Sequence, residues 1–429
     1  MPSKIPAIGA SNWGTELNTI FTDVTTASDL SKPIPGTAFA GTGRAMIDPR
    51  AIAAADLTLY VSPSGTDPVA GVAVDFDMGL SLAKSFKTIK AVVEYACKLQ
   101  HQSYKITIKV SDGTYQLTTP VTINSTNYIS IEGNAALPQN VKLETDKGGF
   151  IIETPATISG VSFRCIQVFN STSNPINYRA IYSLSATIIS DCGFDNYKYA
   201  CAAKSEIFVE NTINVVNCQV AFWSIFGGTV YMDAVATVNS SASASGIGYM
   251  FYVQAGSIYT YGGTYSYTQN TGIGAFIACD GGKMTFLGNN SLTRKGILNN
   301  VTNQSGLITI NANCSGGFVG TTSSSIVEFG GNTVMNAVVS GSYFLFASKN
   351  SVLSITGLDN GSSLSTTNAN NNFAQCYSGS ILNLPAVASV NIPNSSTKIL
   401  ISSQSSLVTK AGRTFVLNAD TASGGYITD

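Results

Sequence analysis

A chain of 429 residues with a net charge of −1 and only 11% charged side chains lies far below the roughly 25% usual for globular domains, so Ser, Thr, Asn and Gly must supply most of its polar surface. The 44% apolar content excludes a disordered chain, and the lack of a basic field argues against nucleic-acid binding. No stretch reaches the roughly 18 uninterrupted apolar residues of a membrane span, so no membrane insertion is expected.

Residues 1–56 read as an arm. The opening MPSKIPAIGASNWG has no continuous apolar run of the signal-peptide kind. In NWGTELNTIFTDV, Asn12 caps a short helix that places Trp13, Leu17, Ile20 and Phe21 on one face. The following SKPIPGTAFAGTGRAMIDPR is extended and carries little core of its own. Such an arm docks on another protein through Trp13, Leu17 and Phe21.

Residues 57–120 read as a lead-in. DLTLYVSPSGTD gives a strand ending in a turn, and SFKTIKAVVEYACKL gives the one convincing helix, at about 85–99. Ser85 is its expected cap, and Phe86, Ile89, Val92, Val93 and Ala96 form its apolar stripe. KITIKVSDGTYQL follows as a strand, an Asp112-Gly113 turn and a second strand.

Residues 121–411 carry a recurring motif: a small residue, a variable one, an apolar anchor, then alternation. It is clearest from ATIIS at Ala186 through GTVYMD at Gly228 and GSIYTY at Gly256 to SSLVTK at Ser405. The anchors are Ile188, Ile207, Val230, Ile258, Met284, Ile308, Ile326, Leu353, Ile381 and Leu407. At SSIVEF, anchoring on Ile326 buries Glu328, which makes Val327 the alternative. A period of roughly two dozen residues with short β segments marks a solenoid, whose units share one core because none can bury its apolar face alone. The expected fold is all-β, a right-handed parallel β-helix with an N-terminal arm and one capping α-helix. That helix covers the open core and unpaired edge of the first coil. Residues 412–429 read as a last strand and a polar tail.

The eight cysteines include no CxxC pair, and His101 is the only histidine. Buried free thiols are expected, with no metal and no cofactor. No P-loop or dinucleotide fingerprint occurs in a fitting context.

LYVSPSGTD, SFKTIKAVVEYACKL, KITIKVSDGTYQL and ISIEGN, from the Tyr60 region to Asn134, resemble the opening of pectate-lyase-like β-helices in bacteriophage tailspikes and tail fibres. IPAIGASNWGTELNTIF resembles the N-terminal attachment segments of tail fibre proteins. Together these segments cover about the first third of the chain. The resemblance implies a homotrimer on the virion, made in the host cytoplasm. It also implies attachment to a tail or baseplate protein through the arm, and binding of a host-surface glycan that some members cleave. The calcium site and basic residues of pectate lyases have no match here, so that activity is not implied.

If the anchors point inward, residues one and three further on point outward. One outward row is then Ile189, Phe208, Tyr231, Tyr259, Thr285 and Thr309, and the next is Asp191, Glu210, Asp233, Tyr261, Leu287 and Asn311. Rings stack on sugar C–H faces and carboxylates accept hydroxyl hydrogen bonds. Phe208, Tyr231, Tyr259 and Tyr261 are therefore the expected glycan-binding residues. Asp191, Glu210 and Asp233 are the candidate catalytic carboxylates, with spacings within the range used by glycosidases. Asp195, Glu206 and Asp280 are weaker candidates. The competing readings are a solvated acidic surface and rings covered by loops or a neighbouring subunit. Tyr265 and Tyr267 fall past the Gly262-Gly263 step, on the next face, where a subunit contact and a sugar are equally expected. Three function classes follow: an adhesin, a polysaccharide depolymerase on the same scaffold, and a structural tail component.

Overall fold

Among the described residues, alternation and sharp corners divide the coils into runs on three faces, and each run pairs with its equivalent in the next coil. The computed structural model describes residues 56–69, 77–99, 104–165, 179–233, 235–242, 248–269, 274–287, 307–315, 317–330, 333–340, 343–355, 363–366, 372–383, 389–391, 400–402, 407–409 and 426–428. The arm, and with it Trp13, Leu17 and Phe21, lies outside the described residues.

Three stacks result, and every strand pairing in them is parallel. The first face begins at Leu57–Val61 and Lys105–Val110 and passes through the leading part of Thr187–Asp195 and of Glu206–Cys218. It continues through Thr229–Met232, Ser257–Thr260 and Lys283–Phe286 to Leu407–Thr409 and Tyr426–Thr428. The second face runs from Gly113–Leu117 and Val141–Thr145, through the trailing parts of the same two long strands, to Gly263–Gln269, Ile308–Cys314 and Ser389–Asn391. The third runs from Val121–Ile123 through Arg179–Ser183, Tyr199–Ala203, Val220–Ile225 and Tyr249–Gln254 to Leu400–Ser402. The chain is thus an all-β parallel solenoid, and the strands expected on either side of Asp112-Gly113 lie on successive faces of one coil.

In-register pairing turns the core into columns. On the first face Ile207, Val230, Ile258, Met284, Val327, Leu353 and Leu382 are stacked and buried. The anchors Ile207, Val230, Ile258, Met284 and Leu353 therefore point inward as expected, and Val327 rather than Ile326 does so in its coil. Ile188 does not. It pairs with Phe208, while its neighbours Thr187 and Ile189 are buried. Ile381 is likewise displaced by Leu382, and Leu407 pairs with Ile381 while Val408 pairs with Leu382. Ile308 is buried but belongs to the second face, opposite Gly263, so the coil begun at Met284 closes only at Val327.

Tyr265 and Tyr267 also depart from expectation, with 0% and 1% exposure. Gly263 turns the corner at φ +101°, which resets inside and outside for the strand that follows. Tyr265 stands between Val238 and Ile310, and Tyr267 between Ser240 and Ala312. The large rings fill space that their smaller column neighbours leave, and Tyr265 Oη donates to the Gly262 carbonyl at 2.7 Å. The third face packs two consecutive residues inward, for example Met250 with Phe251 and Phe276 with Ile277. Phe251 meets Phe222, Tyr265, Phe276 and Phe286.

The helix, α1, spans Ile89–Lys98 and buries Ile89, Val92, Val93 and Ala96. Its cap is Thr88, whose hydroxyl accepts from the Ala91 N–H, and not Ser85, which is buried in the preceding loop. That loop covers the outer edge of the first strand. Tyr60 N–H donates to Gly79 O, Ser62 N–H to Phe86 O, and Phe86 N–H to Tyr60 O. All eight cysteines are free thiols, seven buried and Cys97 partly so.

Candidate functional site

On the outer side of the first face, strand register places Thr157, Ile188, Phe208, Tyr231, Tyr259, Thr285, Glu328 and Ser354 in one row. Parallel pairing sets equivalent residues roughly 4.8 Å apart, close enough for adjacent rings to lie face to face. Phe208 and Tyr231 have centroids 4.9 Å apart and planes inclined by 11°, and Tyr231 and Tyr259 are 5.8 Å apart at 18°. The expected ring row is therefore a continuous stack. Its first ring is covered, since Phe208 is 8% exposed, while Tyr231 and Tyr259 are half-buried.

The corner beside this row carries the carboxylates. Glu210 and Asp233 follow the paired residues Val209 and Met232, and Tyr261 follows Thr260 one coil further. The Asp233 N–H donates to Val209 O at 3.0 Å and the Tyr261 N–H to Met232 O at 3.1 Å, which continues the ladder through the corner. Glu210, Asp233 and Tyr261 thus occupy equivalent positions on three successive coils. Tyr261 is 6% exposed.

Asp191 stands apart from them. Ser190, not Asp191, is the partner of Glu210, and the register shifts between Ser190 and Cys192. Asp191 sits in the left-handed region at φ 51°, as does Asn211 one coil on at φ 55°, a conformation that short polar side chains tolerate best. Its carboxylate accepts from Ser190 Oγ at 2.9 Å, Asn211 Nδ2 at 3.0 Å and the Thr212 N–H at 3.4 Å. These bonds stitch one corner to the next and give Asp191 a structural role.

Among the weaker candidates, Asp195 pairs with Arg164 at 3.5 Å and accepts from Asn217. Glu206 is exposed at the start of its strand, and Asp280 ends a third-face strand. Among the described residues no group of His, Cys, Asp and Glu is arranged to hold a metal ion, and no helix is long and apolar enough to cross a membrane.

Sequence reasoning missed a second set of outward rings, on the third face: Tyr182, Tyr199, Trp223, Tyr249 and Tyr252, all half-buried. Two consecutive inward residues interrupt the alternation in YACAA, VAFWSI and YMFYVQ. The available signal was their position, a few residues ahead of each first-face anchor.

No family model, no curated protein and no solved structure matches the chain. The chemistry of the site therefore rests on its own side chains.

Proposed function

We propose that the chain is an adhesin of the phage tail-fibre or tailspike type, carried on the virion as a homotrimer. The arm holds it to a tail or baseplate protein, and its first face meets a glycan of the host surface. The parallel solenoid fits this reading, as does the resemblance of the first third of the chain. The observation that carries it is the stacked row Phe208-Tyr231-Tyr259 beside the corner residues Glu210, Asp233 and Tyr261. The outward edges of the stacked rings form an apolar ridge for the C–H groups of a sugar, and the neighbouring corner offers acceptors for hydroxyls.

The test is binding of the purified full-length chain to susceptible cells. Tyr231→Ala and Tyr259→Ala are expected to weaken it by about tenfold each, on the order of one lost ring contact, with the far-UV spectrum unchanged. Full binding by the double variant would overturn the reading.

A second reading, a polysaccharide depolymerase, is favoured by one observation: Glu210 and Asp233 hold equivalent corner positions on adjacent coils. That spacing is close to the roughly 5 Å of a retaining pair. Shortening of capsular or O-antigen polysaccharide that is lost in Glu210→Gln and Asp233→Asn decides for it. Cell binding without any shortening decides for the adhesin alone.

A further inference from the structure

The third face differs from the first in what accompanies its rings. Arg179 and Tyr199 are paired across adjacent strands, and Tyr182, Ala202, Trp223 and Tyr252 form the next outward row. Tyr199 stacks on Trp223 at 4.1 Å and 22°, Trp223 lies 6.2 Å from Tyr252 at 14°, and Tyr252 lies 5.5 Å from Tyr249 at 20°. Ala202 separates Tyr182 from Trp223 and leaves a notch between their rings. The Arg179 guanidinium spans this notch, 4.4 Å from the Tyr182 ring and 5.3 Å from the Trp223 ring. The Lys198 ammonium lies 5.3 Å from the Tyr199 ring.

Neither cation makes an ion pair among the described residues. The two are close enough to oppose each other. Burial first, and then the charge of Arg179, push the Lys198 ammonium below the usual lysine range. A guanidinium resting on ring faces keeps its in-plane N–H edge available for a carboxylate fork. Two unneutralised cations beside a strip of five rings suit a ligand with both carboxylates and flat apolar faces. Single-stranded nucleic acid also stacks on rings, but it requires a cationic track along its backbone, and this chain has a net charge of −1.

We propose that Arg179, Lys198 and the Tyr182-Tyr199-Trp223-Tyr252 platform form a second glycan site, specific for polysaccharide bearing carboxylates. The choice of a glycan as ligand rests on the adhesin reading; the site and its charge preference do not involve the first face.

Trp13 and Trp223 are the only two tryptophans, so Trp13→Phe leaves Trp223 as the sole indole reporter. Hyaluronate oligosaccharides, added to the full-length Trp13→Phe chain, are expected to change its emission saturably and in a salt-dependent way. The same oligosaccharides with their carboxyl groups reduced to alcohols are expected to leave it unchanged. Arg179→Gln is expected to weaken the hyaluronate response by about tenfold, the loss of one charge-assisted contact, and Lys198→Gln by less. Four results would overturn the proposal: no response to hyaluronate, equal response to the reduced form, tighter binding of single-stranded DNA, or a smaller assembly mass for Trp223→Ala, which would assign the platform to contacts between copies. Tyr231→Ala and Tyr259→Ala are expected to leave the hyaluronate response intact. Cell binding lost there while this response persists separates the two sites.

Discussion

The coils between Lys105 and Asp195 and those between Glu206 and Phe286 share one backbone ladder but dress it differently. In the earlier coils the outward rows of the first and second faces hold charges. Glu132 accepts from Lys105 at 3.0 Å and also from Lys109, and Arg164 lies between Glu144 at 3.8 Å and Asp195 at 3.5 Å. In the later coils the rows hold rings on the first and third faces and amides on the second, where Asn239 donates to Asn214 at 3.0 Å. A parallel in-register stack repeats whatever a row contains. Charged rows must alternate in sign or repel, and their bonds depend on pH. Ring rows stack without that restriction and turn their edges outward. The first arrangement holds coils together, while the second also leaves a surface that another molecule can use.

The comparison concerns the surface, so core deletions should ignore it. Phe251→Ala, among the later coils, and Phe163→Ala, which removes a ring packed on Phe150 and Phe194, should each cost about 3–5 kcal/mol locally. Hydrogen exchange of the flanking strands reads this best, because solenoid stability is largely local. A much smaller cost for Phe163 would mean that the charged rows, not the core, hold the earlier coils.

Next in size is the corner between Tyr261 and Tyr265. Gly263 has φ +101°, and a Cβ there would lie 2.2 Å from the Ala236 carbonyl oxygen. Gly263→Ala should cost roughly 1–3 kcal/mol and raise exchange across Thr264 to Gln269. Normal protection of that strand would show that the corner relaxes freely.

The pH test separates the two regions directly. Burial acts to raise the Glu132 carboxyl, but hydrogen bonds from Lys109, Lys105 and Ser130 outweigh it and hold the group down to about 2. A carboxyl held below its ordinary value of about 4.3 stabilises the fold fully above that value and stops doing so as pH falls towards about 2. Protection of Lys105–Val110 and Tyr128–Glu132 should therefore fall across that window, while protection of Thr229–Met232 and Ser257–Thr260 should not. Glu132→Gln should remove the effect of pH at a cost near 1 kcal/mol, the scale of partly exposed ion pairs. A similar fall in both regions would cancel the distinction. The smallest stability change is expected for Tyr231→Ala, at about 0.5–1 kcal/mol of lost stacking, in a chain whose melting is otherwise unchanged and whose cell binding is not.

The solenoid was legible because short β segments with an apolar anchor recur about every two dozen residues, and the capping helix because its apolar stripe is unambiguous. The ring row from Phe208 to Tyr259 was legible for the same reason, since three consecutive anchors lay in true register. The departures from expectation have several physical origins. A left-handed corner shifts the count by one residue, and alternation cannot see it. At Gly263 it turned Tyr265 and Tyr267 inward, whereas Ile188 took the outward place because Thr187, one residue earlier, aligns with Ile207. Ile308 was misplaced because it is a sound anchor on the wrong face. The third-face rings were missed because paired inward residues such as Met250 and Phe251 erase the period of two.

A parallel stack exposes at its end a row of donors and acceptors already spaced for another strand, which makes an unguarded solenoid a seed for fibre growth. Here the first strand has spent that row on Gly79 and Phe86, and α1 lays Ile89, Val92, Val93 and Ala96 against the core. These bonds and the helix oppose strand addition by a copy of the chain at this end.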